Sequence, residues 1–249
     1  MMRIIFSRKG FDSTAGGGPS PIIDGRPVSL PIPDTKGLSR TTYGSLGLGD
    51  LTSKASRGKY GAKELCHHDP MFLDDGTVML GQCSSSQGHL SKQGVGPGDV
   101  FLFFGLFEGD ATGGKHHRIF GWMNIAAVVE VSKADELDSH VQRAISVDHP
   151  HFIGMHAGND AVYFGLGGTA SRASDALRLT VPGGPVGLWR RPPWLERGGI
   201  TYFADKDENW PAPDRMYRVG NGQEFVANVG ERSVPRKWLD QIIAEIKAS

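Results

Sequence analysis

Cysteine is scarce in this chain: 249 residues contain two, Cys66 and Cys83. Two cysteines cannot build a disulfide framework or, unaided, a cysteine zinc site, and the expected setting is reduced and cytoplasmic. An excess of either charge is missing as well, since 27 Lys+Arg balance 27 Asp+Glu. That balance excludes adhesion to DNA by bulk electrostatics, but it leaves room for a local basic cleft. No run approaches the ~20 apolar residues of a membrane span, so no membrane partner is expected. The opening Met1-Met2-Arg3-Ile4-Ile5-Phe6 passes straight into polar sequence and does not read as a signal peptide. Also missing are a P-loop, a Gly-x-Ser-x-Gly elbow and a His-Glu-x-x-His pair. On that ground no metal centre is expected.

Glycine, by contrast, is abundant at 35 residues, and 15 prolines accompany it. Ordinary usage of glycine is about 7%, so tight turns should be frequent and long helices few. Residues 3–7 read as a short buried strand, and residues 22–32 as a hairpin about Asp24-Gly25, with Pro27 and Pro31 marking an edge. A short helix fits near residues 53–65, and residues 84–98 form a polar, glycine-rich loop. Residues 100–107 are a continuous apolar strand, which must be buried on both faces or line a small barrel. Residues 118–131 make a second long strand, in which Gly121 suggests a bulge or sharp bend. Leu137, Val141 and Ile145 recur every four residues and predict a helix over 134–145. Residues 159–164 run from a loop into a strand, 177–181 alternate as a half-exposed strand, and 189–194 form a basic, proline-broken connection. The best helix is 234–247, with Ser233 as its cap, Pro235 in its first turn and an apolar stripe of Trp238, Ile242, Ile243 and Ile246. The expected fold class is α+β and β-rich. A single domain over residues 1–249 should surround a small barrel, its core about 87–181, with loop insertions and a C-terminal helix.

The segment Gly94-Val95-Gly96-Pro97-Gly98-Asp99 delivers the chain into the strand at Val100, and a second long apolar strand follows. This pair resembles the core of the PUA, ASCH and EVE barrels, in which a small barrel presents a pocket for a nucleobase. Across the whole chain a second resemblance is carried by several stretches. They are Phe6-Ser7-Arg8-Lys9-Gly10-Phe11-Asp12-Ser13 with Gly17-Gly18-Pro19-Ser20-Pro21-Ile22, then Leu30-Pro31-Ile32-Pro33, and Gln87-Gly88-His89-Leu90-Ser91-Lys92-Gln93. His149-Pro150-His151, Asn159 with Val162-Tyr163, and Gly222-Gln223-Glu224-Phe225-Val226 complete it. Together they resemble the nucleotide-modification-associated domain family of the third type. The resemblance implies a role in altering or recognising bases in nucleotides or DNA, without specifying a reaction or a cofactor.

Four groups of residues have side chains suited to that chemistry. Arg8 and Lys9, beside Ser7 and Ser13, suit a phosphate, while Asp12 suits a base or a bond to an exocyclic amine. Gln87 and Gln93 pair a donor with an acceptor, as reading a base edge requires, and His89 among serines raises proton transfer or nucleophilic catalysis. His67-His68-Asp69, His116-His117 and His149-Pro150-His151 offer metal-ligand types, and His149 and His151, two apart, would point to one face of a strand and share a ligand or metal. Gln223 suits base binding and Glu224 general-base work. Each group has a plain structural alternative: a glycine turn with a solvated Arg-Lys pair, a polar loop satisfying its own backbone, histidines tied to carbonyls, or Glu224 paired with a cation. Trp189-Arg190-Arg191-Pro192-Pro193-Trp194 offers stacking faces for unpaired bases, but a packed crossover with tryptophan in the core is the stronger reading.

The leading expectation is therefore a base-binding pocket in a protein of a nucleotide or DNA modification system. Proton-handling or group-transfer roles would fall to Asp12, His89, His151 and Glu224, and ligand contacts to Ser7, Arg8, Lys9, Ser13, Gln87, Gln93, His149 and Gln223. Its partner would be a nucleotide, a single strand or a flipped base, with other components of such a system as further partners. The alternative is a non-catalytic reader of modified bases.

Overall fold

The computed structural model describes residues 1–109, 114–217 and 223–248. Gly222 of the motif before the last strand thus lies outside the described residues. In chain order the first elements are β1 (Met2–Arg8), β2 (Ser20–Ile23), β3 (Arg26–Pro27), β4 (Ile32–Pro33) and α1 (Gly49–Ala55). Next come β5 (Cys66–His67), β6 (Met71–Phe72), β7 (Thr77–Gln82), α2 (Ser84–Lys92), β8 (Val100–Glu108) and β9 (His116–Glu130). The last are α3 (Ser139–Ser146), α4 (Pro150–Ile153), β10 (Ala161–Thr169), β11 (Leu188–Arg190), β12 (Arg215–Tyr217), β13 (Glu224–Gly230) and α5 (Ser233–Ala248).

One nine-stranded sheet carries the molecule, in the order β13-β1-β8-β9-β10-β7-β6, with the β2-β3 hairpin attached to β8. The β1-β8 and β2-β8 pairs are parallel and the remaining pairs are antiparallel. The sheet curls into a half-barrel, giving a mixed α and β architecture with α5 at the C-terminus. It draws on strands outside residues 87–181 as well, because β1, β7 and β13 belong to it.

Burial on both faces explains the unbroken apolar run of β8. Val100, Leu102 and Phe104 point into one core, with Ile4 and Phe6 of β1, Trp189, Phe225, and Leu239, Ile242 and Ile246 of α5. Phe101, Phe103 and Phe107 point into the other, with Ile5, Leu80, Tyr163, Val226 and Leu90 of α2. The second core fills the concave side of the curl. Gly121 sits where the β8-β9 register slips, and a Cβ there would come 2.9 Å from the Phe72 ring. The bend expected at that glycine is a bulge that lets β6 approach β9. The Asp24-Gly25 hairpin has both turn residues at positive φ, 50° and 77°, as its right-handed twist requires.

Several local expectations are corrected. Residues 84–92, read as a loop, form α2, which is held by burial of Gln87 and Leu90 rather than by any side-chain cap. The helix expected over 134–145 starts at Ser139, where the Asp138 carboxylate caps the His140 and Val141 N–H groups. Its buried residues are Val141 and Ala144, while Leu137 and Ile145 are exposed. The short helix expected near residues 53–65 is α1, ending at Ala55. His149 and His151 lie on no strand: His149 is the N-cap of α4 and Pro150 starts it, so the i, i+2 geometry is helical. Residues 177–181 make isolated bridges rather than a strand, and Leu177, Arg178, Leu179 and Thr180 are all buried. Trp189 and Trp194 are packed in the core.

Phe103 is fully buried, with Phe101 stacked at 5.9 Å between ring centroids and Phe72 edge-on at 5.6 Å. Phe103→Ala should therefore destabilise the fold by about 3–5 kcal/mol in chemical denaturation. A loss under about 1 kcal/mol would show that this face is not a packed core.

Candidate functional site

The site begins where the inner face of the curled sheet turns polar. Side chains alternate along a strand, so Ser7 follows Ile5 on the inner face, Gln82 follows Val78 and Leu80, and Glu224 precedes Val226. Ser7 and Glu224 are register partners across β1 and β13. Curling then brings β7, far along the strand order, against them. Gln82 Nε2 donates to Glu224 Oε1 at 2.6 Å, and Ser7 Oγ and Lys9 Nζ each donate to the same oxygen at 3.1 Å. Glu224 is buried, and its Oε2 has no hydrogen-bond partner among the described residues. Burial pushes its carboxyl up from the ordinary value, and the pull of Lys9 and the Ser7 hydroxyl offsets this only in part.

Over this floor opens a cleft of about 680 Å³. One wall is Arg8, Lys9 and the loop through Ala15, the other is Gln82 and the first turn of α2, and Gln223 lies between them. The loop is shaped by Asp12. Its Oδ1 accepts from the Thr14 N–H at 2.6 Å, the Thr14 hydroxyl at 2.7 Å and the Ala15 N–H at 2.8 Å, and its Oδ2 pairs with Arg8. Burial raises the Asp12 carboxyl, but these hydrogen bonds and Arg8 outweigh it and hold the group below its ordinary value. The α2 turn is tied to the rest of the cleft by Ser84 N–H donating to Asn159 Oδ1 at 2.8 Å and Ser86 Oγ donating to Gln223 Oε1 at 3.2 Å.

The far end of the cleft holds a cluster of histidines. His67 on β5, His151 on α4 and His156 beyond it have ring centroids 4.4 to 5.1 Å apart. His151 lies against the backbone of Gly81, where a Cβ would stand 2.1 Å from the His151 Cδ2. Any larger residue at position 81 would evict the ring. Burial drives the His151 imidazole down to about 2, so it is neutral at physiological pH. Asp69 accepts from the Gly81 N–H at 2.9 Å, and Asp160 accepts from the backbone N–H groups of His156 at 2.6 Å and Ala157 at 2.9 Å. Three imidazoles with carboxylates close by are ligand types that suit a transition metal.

Of the residues singled out from sequence, Arg8, Lys9, Asp12, Ser13, His151 and Gln223 line the cleft, while Ser7 and Glu224 are buried beneath Lys9 and Gln82, which do line it. The other four lie elsewhere. Gln87 is inside the half-barrel, accepting from the Tyr163 hydroxyl at 3.0 Å and donating to Ser91 Oγ at 3.1 Å. His89 stands 3.1 Å from the Thr201 hydroxyl and packs on Tyr202, and Gln93 ends α2. His149 is buried, with Nε2 3.6 Å from Asp69 Oδ1. His116 and His117 are buried in the core, where Trp189 Nε1 donates to His117 Nδ1 at 3.0 Å. Sequence reasoning did not single out His156 or Asp160, which carry no spaced motif. Gln82 and Asp69 are not among the site residues expected from sequence. Gln82 had one legible signal, the alternation of β7.

A family model described as nucleotide modification associated domain 3 matches residues 3–228. The chain belongs to that family. No curated protein and no solved structure matches it.

The position of Glu224 has a consequence for pH dependence. A carboxyl raised in the folded state contributes stability that is complete below its unfolded value, ordinarily 4.5, and lost as pH climbs through the folded value. Glu224→Gln abolishes that dependence. In denaturation curves from acid to neutral pH, the variant should gain on the wild type as pH rises. A constant difference, or one that moves the other way, would show that Glu224 is not held against ionisation.

Proposed function

We propose, from membership in this family, that the protein binds a nucleobase-bearing ligand in the cleft above Glu224 and acts in the modification of that base. The observation that carries the reading is the division of the cleft walls by chemistry. Arg8 and Lys9 supply positive charge and share the cleft with the first turn of α2, whose N-cap residue Cys83 makes no side-chain cap although Asn159 takes the Ser84 N–H, a combination suited to phosphate. Gln82 and Gln223 supply amide groups near the floor, suited to the donor and acceptor edge of a heterocycle. A cleft of about 680 Å³ is in the range that small ligands fill.

Within this reading Glu224 is the proton-handling group, since a carboxyl raised by burial with one unpartnered oxygen can hold a proton and release it. Asp12 shapes the loop: its oxygens are committed to Thr14, Ala15 and Arg8, so it positions Arg8 rather than abstracting a proton. The half-barrel would present the pocket in the manner of a PUA-like module. The balanced net charge favours a free nucleotide, a single strand or one flipped base over a long duplex tract.

Gln223 is exposed at the cleft and carries no core packing. Gln223→Ala should weaken binding of nucleoside monophosphates, measured by calorimetry, by roughly fivefold or more while leaving Tm unchanged. Lys237→Ala on the exposed face of α5 should leave binding as it was. Unaltered affinity in Gln223→Ala would remove the cleft from the binding site. Mass spectrometry of an oligonucleotide incubated with the protein and candidate donors separates the two roles: a mass change marks an enzyme, and an unaltered bound strand marks a reader.

A further inference from the structure

We propose that His67, His151 and His156 form a three-histidine centre for a divalent transition metal of the zinc class, with a coordination position open to the cleft. The reading does not depend on what the cleft binds. One ligating atom from each of the three side chains lies within 4.8 Å of the others. Tetrahedral zinc, with Zn–N of about 2.0–2.1 Å, would draw the nitrogens to about 3.4 Å apart. That closure is within reach of side-chain rotation, because His67 is only half-buried.

Three further observations point to a cation. First, His156 Nε2 is buried with no hydrogen-bond partner among the described residues. An unpaired buried ring nitrogen costs free energy that a metal bond would recover. Second, a carboxylate stands behind one nitrogen of each of two rings: Asp160 Oδ2 is 3.4 Å from His151 Nδ1, and Asp69 Oδ2 is 3.6 Å from His67 Nε2. A small turn of each ring would complete the hydrogen bonds by which carboxylates orient ligating imidazoles, leaving the other nitrogen for the metal. Third, Asp69 and Asp160 are both buried, and no Lys or Arg among the described residues pairs with either. Buried carboxylates call for a compensating positive charge, which a divalent ion supplies.

The direction of the open position follows from the lining of the cleft. His67 and His151 both line it, so an ion between them faces the same space as Lys9 and Gln223. Three protein nitrogens plus one exchangeable position is the pattern of zinc sites that hold a water and lower its pKa. His151 would then serve as a ligand and not as a proton carrier.

Cobalt(II) reports the geometry directly. The full chain, freed of metal by chelator and dialysed, should take up one equivalent of Co²⁺ with the visible absorption of a tetrahedral nitrogen-ligated ion, and Zn²⁺ should displace it. His156→Gln should abolish that spectrum. Asp160→Asn should weaken Co²⁺ binding about 10–100-fold, since it removes only the carboxylate behind a ligand. His89→Gln, at the Thr201 side of α2, should bind as the wild type does. Far-UV circular dichroism and Tm establish that each variant is folded. If His156→Gln does not fold, His67→Gln, at the half-buried ligand, carries the same expectation. The proposal is overturned if the folded wild type takes up no stoichiometric Co²⁺ or Zn²⁺. It is equally overturned if a folded His156→Gln or His67→Gln retains the wild-type spectrum and affinity.

Discussion

Glu224 Oε1 is the point at which distant strands of the half-barrel meet. Three donors from three segments meet there: Ser7 at the end of β1, Lys9 just beyond it and Gln82 at the end of β7. Glu224 and Gln82 are 142 residues apart and sit on strands separated by β1, β8, β9 and β10 in the sheet order. A carboxylate at this depth is tolerated only while its donors remain in place. Removing one of these donors raises the carboxyl further and favours its neutral form. The curl that brings β7 against β13 is thus tied to one acceptor atom.

The rim and the core are two parts of one pattern. The inner face of β1, β7 and β13 is apolar through Ile5, Leu80 and Val226, then changes to Ser7, Gln82 and Glu224 at the next inward position. The hydrophobic filling fixes the diameter at which these polar side chains meet. Alternation with a period of two guarantees that all three face inward together. A slip of one residue would send the polar member of β1 or β13 to the outer face, against Trp189 and α5, and that of β7 against Ala144, Val162 and Phe164. Packing precision in the half-barrel is therefore what gathers these polar side chains at its end.

Some of this was legible in the chain itself. β8 and β9 follow from their apolar runs, the bulge from Gly121, the hairpin from Asp24-Gly25 and α5 from its stripe. Arg8, Lys9, Gln223 and Glu224 stood out because charged and amide side chains flank strands. α2 was not legible: its sequence Ser-Ser-Ser-Gln-Gly-His-Leu-Ser-Lys has weak helix propensity, and burial of Gln87 and Leu90 decides its conformation. Gln87 and His89 stood out for the same chemistry as Gln223, yet the helix turns one into the barrel and the other toward Thr201. The histidines at positions 67, 151 and 156 come from a two-residue strand, a single-turn helix and a loop, so no spacing connects the first with the others.

By itself the sequence determined what depends on near neighbours: which strands are buried on both faces, where glycine lets the chain turn, which helix carries an apolar stripe, and that no excess charge exists for bulk attraction to DNA. Only the tertiary structure decided which polar side chains share a cavity. Burial, the pairing of Glu224 with Lys9 and Gln82, and the meeting of the His67, His151 and His156 rings arise from contacts between segments tens to hundreds of residues apart. Such contacts follow from strand order and curl, which local propensity does not encode.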